Sequence, residues 1–268
     1  MRDARWRTLL ALGIAAAALV ACGTPDQVEQ PPPSASSPTS GAPDPAARPL
    51  PPIPPPRPGE PQLVRKGPAD AGNRFALTID DGTCKECVAG YVALAERGLH
   101  LTFCPNGQYH ANWEPFADRI RKLEQAGTVQ LCNHTYSHPN LLKLSDEEIG
   151  REIERNEAWI EKTFGVTARP WLRPPFGNRD ARVDRVAAKH GYTRMVLWNG
   201  SFGDSGKLAP EVLYGEVEKW LKPGSVILAH ANYPTAVHEF GRIQALIEQR
   251  GLQPVTLDEL FGTSRATG

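Results

Sequence analysis

An excess of charge of either sign is missing from this chain: Lys and Arg number 30, Asp and Glu 30, and the formal net charge is zero. Polyanions are held chiefly through charge neutralisation, so the composition excludes any electrostatic case for nucleic acid or for an anionic membrane surface as partner. Internal repeats are missing too. No apolar run is long enough to span a membrane comfortably; the stretch from Leu9 is cut short by Cys22, where about 20 apolar residues are needed. What is present, 40% hydrophobic and 22% charged residues over 268 positions, suits one globular domain with appendages. It is too apolar for a wholly disordered chain.

The order of the first residues is that of an export signal. Arg2, Arg5 and Arg7 precede the short apolar stretch, which ends in Leu19-Val20-Ala21-Cys22. A cysteine in that place resembles a bacterial lipobox, which implies cleavage before Cys22 and lipidation of its thiol. The expectation is a lipoprotein signal over 1–21 and a mature protein tethered outside the cytoplasm, touching the membrane through its lipid alone. From residue 22 to 68 the chain is proline-rich with few large apolar residues, and reads as a disordered spacer. Polyproline segments rise ~3.1 Å per residue, so the spacer reaches on the order of 100 Å. A folded domain is expected over 69–268, as a monomer.

Beyond residue 72, short β-like runs alternate with helix-like runs. Strands are expected over 74–80, 99–104, 128–132, 170–174, 193–198, 225–230 and 253–257. Between them lie amphipathic patterns such as residues 145–164, where Ser145 is an N-cap and Asp146, Glu147 and Glu148 sit at the positive helix end. This alternation predicts an α/β fold of parallel strands with crossover helices, either curled into a barrel or open and doubly wound. In either, reactive groups gather at the carboxyl ends of strands.

That rule collects scattered polar residues on one rim. Asp80 and Asp81 end the first strand, His134 and His138 follow the third, Arg173 ends the fourth, Asp204 follows the fifth, and His230 ends the sixth. Two histidines four residues apart can bring both imidazoles to one side of a helical turn and leave room for a third ligand, and one carboxylate would complete the set. Neighbouring residues at a strand end point in different directions, so one aspartate can bind a metal while the other stands unligated as a general base.

The segments Thr-Ile-Asp-Asp-Gly at 78–82, His-Thr-Tyr-Ser-His at 134–138, Arg-Pro-Pro-Phe-Gly at 173–177, Asp204, and Leu-Ala-His at 228–230 resemble the five ordered motifs of the polysaccharide deacetylases, carbohydrate esterase family 4. The resemblance implies a distorted (β/α)7 barrel, TIM-barrel-like, with its catalytic rim at the strand C-terminal ends. It implies a divalent metal, usually Zn2+ though another such as Co2+ would serve, and hydrolysis of N-acetyl groups on a polysaccharide substrate. Carried over by position, Asp81, His134 and His138 hold the metal and Asp80 is the base. Arg173 holds Asp80 by a charge-assisted bond. The backbone N–H of Phe176 helps the metal stabilise the oxyanion, His230 protonates the leaving amine, and Asp204 orients His230.

The chain departs from the family pattern in places. Ser205 stands where a tryptophan commonly follows the aspartate, so the aromatic wall of the acetyl pocket is either missing or supplied by Trp198 or Phe202. Ala231 replaces a frequent acid, and Phe176 a frequent tyrosine. With Cys22 lipidated, Cys84, Cys87, Cys104 and Cys132 remain near the ends of the first three strands. Structural disulfides are expected there ahead of a second zinc site or a redox pair, with three pairings open. The function expected is N-deacetylation of cell-envelope glycan, foremost N-acetylglucosamine or N-acetylmuramic acid of peptidoglycan. Chitooligosaccharide or O-acetyl xylan deacetylation, and a non-catalytic glycan-binding lipoprotein on the same fold, are the alternatives.

Overall fold

In a computed structural model the described residues are 58–263. The expected signal, Cys22 and the spacer up to residue 57 lie outside them. The strands are β1 (Gln62–Val64), β2 (Arg74–Asp81), β3 (Leu101–Pro105), β4 (Val129–Leu131), β5 (Trp171–Leu172), β6 (Arg194–Val196), β7 (Gly200–Ser201), β8 (Val226–His230) and β9 (Gln253–Val255). The helices are α1 (Lys85–Glu96), α2 (His110–Trp113), α3 (Ala117–Gln125), α4 (Asp146–Phe164), α5 (Ala181–Lys189), α6 (Pro210–Trp220), α7 (Thr235–His238), α8 (Phe240–Gln249) and α9 (Leu257–Phe261).

All the ladders are parallel, and β2 is their hub. It pairs with β8 along one edge; along the other it meets β9 at its start and β3 at its end. β3 pairs with β4, a single parallel bridge from Asn133 to Leu172 carries the wall to β5, and β5 pairs with β6. A few residues after β6 the same chain forms β7, which pairs with β8. The wall therefore returns on itself as a (β/α)7 barrel, distorted where β4 and β5 share only that one bridge. Each of the seven expected strands is present.

Two strands were not anticipated. β1 pairs with β6 and buries Val64, so the folded chain begins inside the segment assigned to the spacer. Its three residues follow a run of prolines, and that context hid a short β-capable Gln62-Leu63-Val64. β7 is two residues long and has no periodicity to read.

Side-chain alternation sorts the core into two layers. Phe75, Leu77 and Ile79 of β2 face outward, in one buried cluster with Val88, Tyr91 and Val92 of α1. Ala76 faces inward with Cys104, Cys132, Trp171, Val196, Val226 and Val255, which fill the barrel. Burying side chains of the outer kind is worth about 1.5–3 kcal/mol each, and together they clamp the helices onto the wall. The inward parity of β2 continues through Thr78 to Asp80, so the pattern that fills the barrel with apolar groups delivers a carboxylate at its mouth.

Candidate active site

β2 stops pairing where its chain must turn sharply. Asp81 has φ 70° and Gly82 φ 116°. A Cβ on Gly82 would stand 1.9 Å from Nε1 of Trp113, whose N–H donates to the carbonyl of Asp81 at 2.9 Å. Glycine is required there by close approach as well as by conformation. Asp81, Thr135, His138 and Phe176 are the non-glycine residues with positive φ among the described residues, and all four lie at this rim. Such backbone costs on the order of 1–3 kcal/mol per residue and persists only where surrounding contacts over-determine it.

Those contacts are visible beneath the loop that carries the histidines. Asn106 donates to the carbonyls of His134 (2.6 Å) and Thr135 (2.9 Å). Buried Asn133 accepts from the Thr135 N–H (2.9 Å) and from Asn156 (3.0 Å), and donates to the carbonyl of Ile153 and the hydroxyl of Tyr192. The loop is thereby tied to β3, α4 and the turn before β6.

It is this loop, with Thr135 and His138 in the left-handed region, and not the helical turn that the spacing suggested, that aims two imidazoles at Asp81. His134 Nε2 lies 3.5 Å and His138 Nε2 3.6 Å from Asp81 Oδ1, and the donor atoms of the three residues all fall within 4.8 Å of one another. A tetrahedral ion with ligands at about 2.0–2.2 Å needs them roughly 3.4 Å apart, so the set fits a divalent metal. His134 Nδ1 is 2.6 Å from the Arg173 carbonyl, an acceptor that fixes the proton on Nδ1 and leaves the Nε2 lone pair for a ligand bond. Burial, and next the neighbouring His134, push His138 down to about 4, which keeps its imidazole neutral. For Asp81, burial opposes ionisation. His134, the amide of Asn232 and His138 outweigh it and hold the carboxyl well below the usual carboxylate range.

Asp80 is engaged differently. Both of its oxygens accept from Nη1 of Arg173, at 3.0 and 2.9 Å, and both residues are almost wholly buried. Arg173 also donates through Nη2 to Thr78 and through Nε to the carbonyl of Val196. Burial works against the guanidinium charge, but its neighbours, Asp80 foremost, outweigh it and Arg173 is raised. Asp80 Oδ2 lies 3.5 Å from His134 Nε2, adjacent to the three-ligand cluster without belonging to it.

His230, at the end of β8, places Nδ1 2.9 Å from Asp204 Oδ1, and its backbone N–H donates to Oδ2 of the same carboxylate. Burial again opposes the charge; the bond to Asp204 and the charges of Asp80, Asp204 and Asp81 prevail, raising His230 above an ordinary imidazole. The exposed ring of Phe176 stands edge-on to His138 at 4.5 Å. Trp198 is half-buried, 5.4 Å from the Arg173 guanidinium and against Gly177. Phe202 is fully buried in the outer core, so of the two aromatics expected to replace the one missing at Ser205, only Trp198 reaches the site.

The cysteines divide. Cys84 and Cys87 form a disulfide at the start of α1, whereas Cys104 and Cys132 are buried thiols inside the barrel. Burial, then the neighbouring Cys132, pushes the Cys104 thiol well up. Thus one expected bridge is present, and the second pair of cysteines is unbridged. Sequence reasoning did not single out Asn232, which binds Asp81, nor Thr78 and Asn106. Their roles depend on partners far away in the chain; only the position of Asn232, two residues after His230, was a signal.

Residues 68–195 match the family model described as polysaccharide deacetylase. A peptidoglycan-N-acetylglucosamine deacetylase of Bacillus cereus is 29% identical over 197 residues, 71% of this chain and 69% of that protein. Among solved structures, a peptidoglycan N-acetylglucosamine deacetylase is 26% identical with a TM-score of 0.64, covering 75% of this chain and 94% of its own. A carbohydrate esterase family 4 pseudoenzyme from Bacillus anthracis has a TM-score of 0.67 at 22% identity, over 75% of this chain and 69% of its own, and testifies to the fold alone.

Proposed function

This chain belongs to the polysaccharide deacetylase family, and on that premise we propose that it is a metal-dependent hydrolase removing N-acetyl groups from cell-envelope glycan, foremost peptidoglycan. The observation that carries the reading is the meeting of Asp81, His134 and His138 at ligand spacing beside a carboxylate, Asp80, that is held by Arg173. The export motif at Cys22 supports an enzyme tethered outside the cytoplasm, where such glycan lies.

Asp81, His134 and His138 would hold the ion, with Zn2+ or Co2+ suited to two imidazoles and a carboxylate. When bound, it supplies Lewis-acid polarisation of the acetyl carbonyl. Asp80, its carboxylate fixed by Arg173, takes the proton of the attacking water as the new C–O bond forms. The backbone N–H of Phe176 donates to the developing oxyanion, and Trp198 flanks the acetyl group. His230 delivers its proton to the nitrogen as the C–N bond breaks, leaving acetate and a free amine; Asp204 stabilises the charged imidazole and fixes its ring.

The second, alternative reading is glycan binding without turnover on the same fold. Against it stands the complete set of groups gathered on one rim. The test is to offer the protein peptidoglycan strands, chitooligosaccharide and acetylated xylan and to measure free acetate together with new amines. Acetate and amine appearing in equal amounts from peptidoglycan is expected. Binding to any of the three with no acetate released would favour the second reading.

A further inference from the structure

The two oxygens of Asp81 face different partners. Oδ1 is turned to the two imidazoles, while Oδ2 accepts from Nδ2 of Asn232 at 2.7 Å. The carbonyl oxygen of the same Asn232 side chain accepts from the hydroxyl of Thr83 at 2.9 Å and from its backbone N–H at 3.3 Å. Immediately before Asn232, the Ala231 N–H donates to the Asp80 carbonyl (2.9 Å) and the Ala231 carbonyl accepts from the Cys84 N–H (3.1 Å). The turn after β8 is laced to the turn after β2, and Asn232 is where the lacing reaches the carboxylate.

From this geometry we infer that Asn232 is a positioning residue for metal binding, deepening the function proposed above and resting on it. It occupies Oδ2 and so presents Asp81 to the ion through Oδ1 alone, with the carboxylate plane fixed. The site needs a side chain that donates to a carboxylate and accepts from a hydroxyl at once, at the reach of two carbons; asparagine meets both demands. Aspartate has the shape but would set an oxygen against Oδ2. Alanine supplies neither bond and frees Asp81, whose left-handed backbone leaves the carboxylate dependent on such contacts. Because Asn232 follows His230 by two residues, the same contact keeps the end of β8 in register with the ligand turn.

The test uses the full chain, stripped of metal by a chelator and titrated with Co2+, whose visible spectrum reports its ligands. Outer partners of this kind typically govern metal affinity by about 10- to 100-fold. Asn232→Ala and Asn232→Asp are each expected to weaken Co2+ binding by that factor, with turnover returning towards wild type at saturating metal. Thr83→Val is expected to weaken it less, in the same direction. Asn232→Asp keeps the side-chain volume, so the comparison survives if Asn232→Ala does not fold. Wild-type affinity within twofold in both Asn232 variants, with an unchanged Co2+ spectrum, would overturn the inference while leaving the metal site standing. A wild-type protein that binds no Co2+ would instead overturn the proposed metal site, and the role of Asn232 with it.

Discussion

Asp80 and Asp81 are neighbours in the chain, yet one is locked to a guanidinium and the other faces two imidazoles. Their variants should therefore part company. Asp80→Asn is expected to keep its metal and lose about 10²- to 10⁴-fold in rate, the range for removing a general base. Asp81→Asn should lose metal first and recover in part when excess is supplied; metal analysis and acetate release on both proteins decide it. Arg173 is buried, so Arg173→Ala strands the Asp80 charge and should cost about 3–5 kcal/mol of stability, read from denaturant unfolding. Asp204 favours the protonated form of His230, and a proton donor fails as pH rises through its pKa. Asp204→Asn withdraws that support and lowers the pKa, so the alkaline limb of the kcat/KM profile should move to lower pH. An unmoved limb would remove His230 from the role of acid. These residues were legible beforehand because each ends or follows a strand within a local motif. Phe202 misled, because nothing local says whether an aromatic beside a strand turns outward to the core or towards the site.

Among the elements, α4 was the plainest in the sequence. Ser145 caps it and closes a capping box with Glu148, three acids fill its first turn, and Gly165 ends it with φ 73°. Those signals are local, so chemistry and pattern coincide. Ser145→Ala should cost roughly 1 kcal/mol, seen as a lower Tm, with acetate release per folded molecule unchanged. β1 and β7 escaped notice for the opposite reason: at three and two residues they are held by pairing with β6 and β8, which no window along the chain reveals. The pairing of cysteines was closed to the sequence likewise. Cys84 and Cys87 share one helical turn, while Cys104 and Cys132 became neighbours only when β3 and β4 paired.

For the molecule as a whole, a parallel barrel brings to one mouth groups separated by up to about 150 residues, from Asp80 to His230. Among the described residues the non-glycine left-handed backbone lies at that mouth, and asparagines hold the loop that carries the histidines. The strand order explains the division of labour: β2 lies between β3 and β8, so the ligand turn and the proposed acid stand on adjoining strands. The central claim is that deacetylation depends on an ion at Asp81, His134 and His138. Its most direct test is acetate release from peptidoglycan by chelator-treated protein as Zn2+ is added back in measured amounts. The account predicts no release before addition and activity rising to a plateau at one equivalent, with none regained by His134→Ala under the same titration. Full activity in the stripped protein, or equal recovery by His134→Ala, would contradict it.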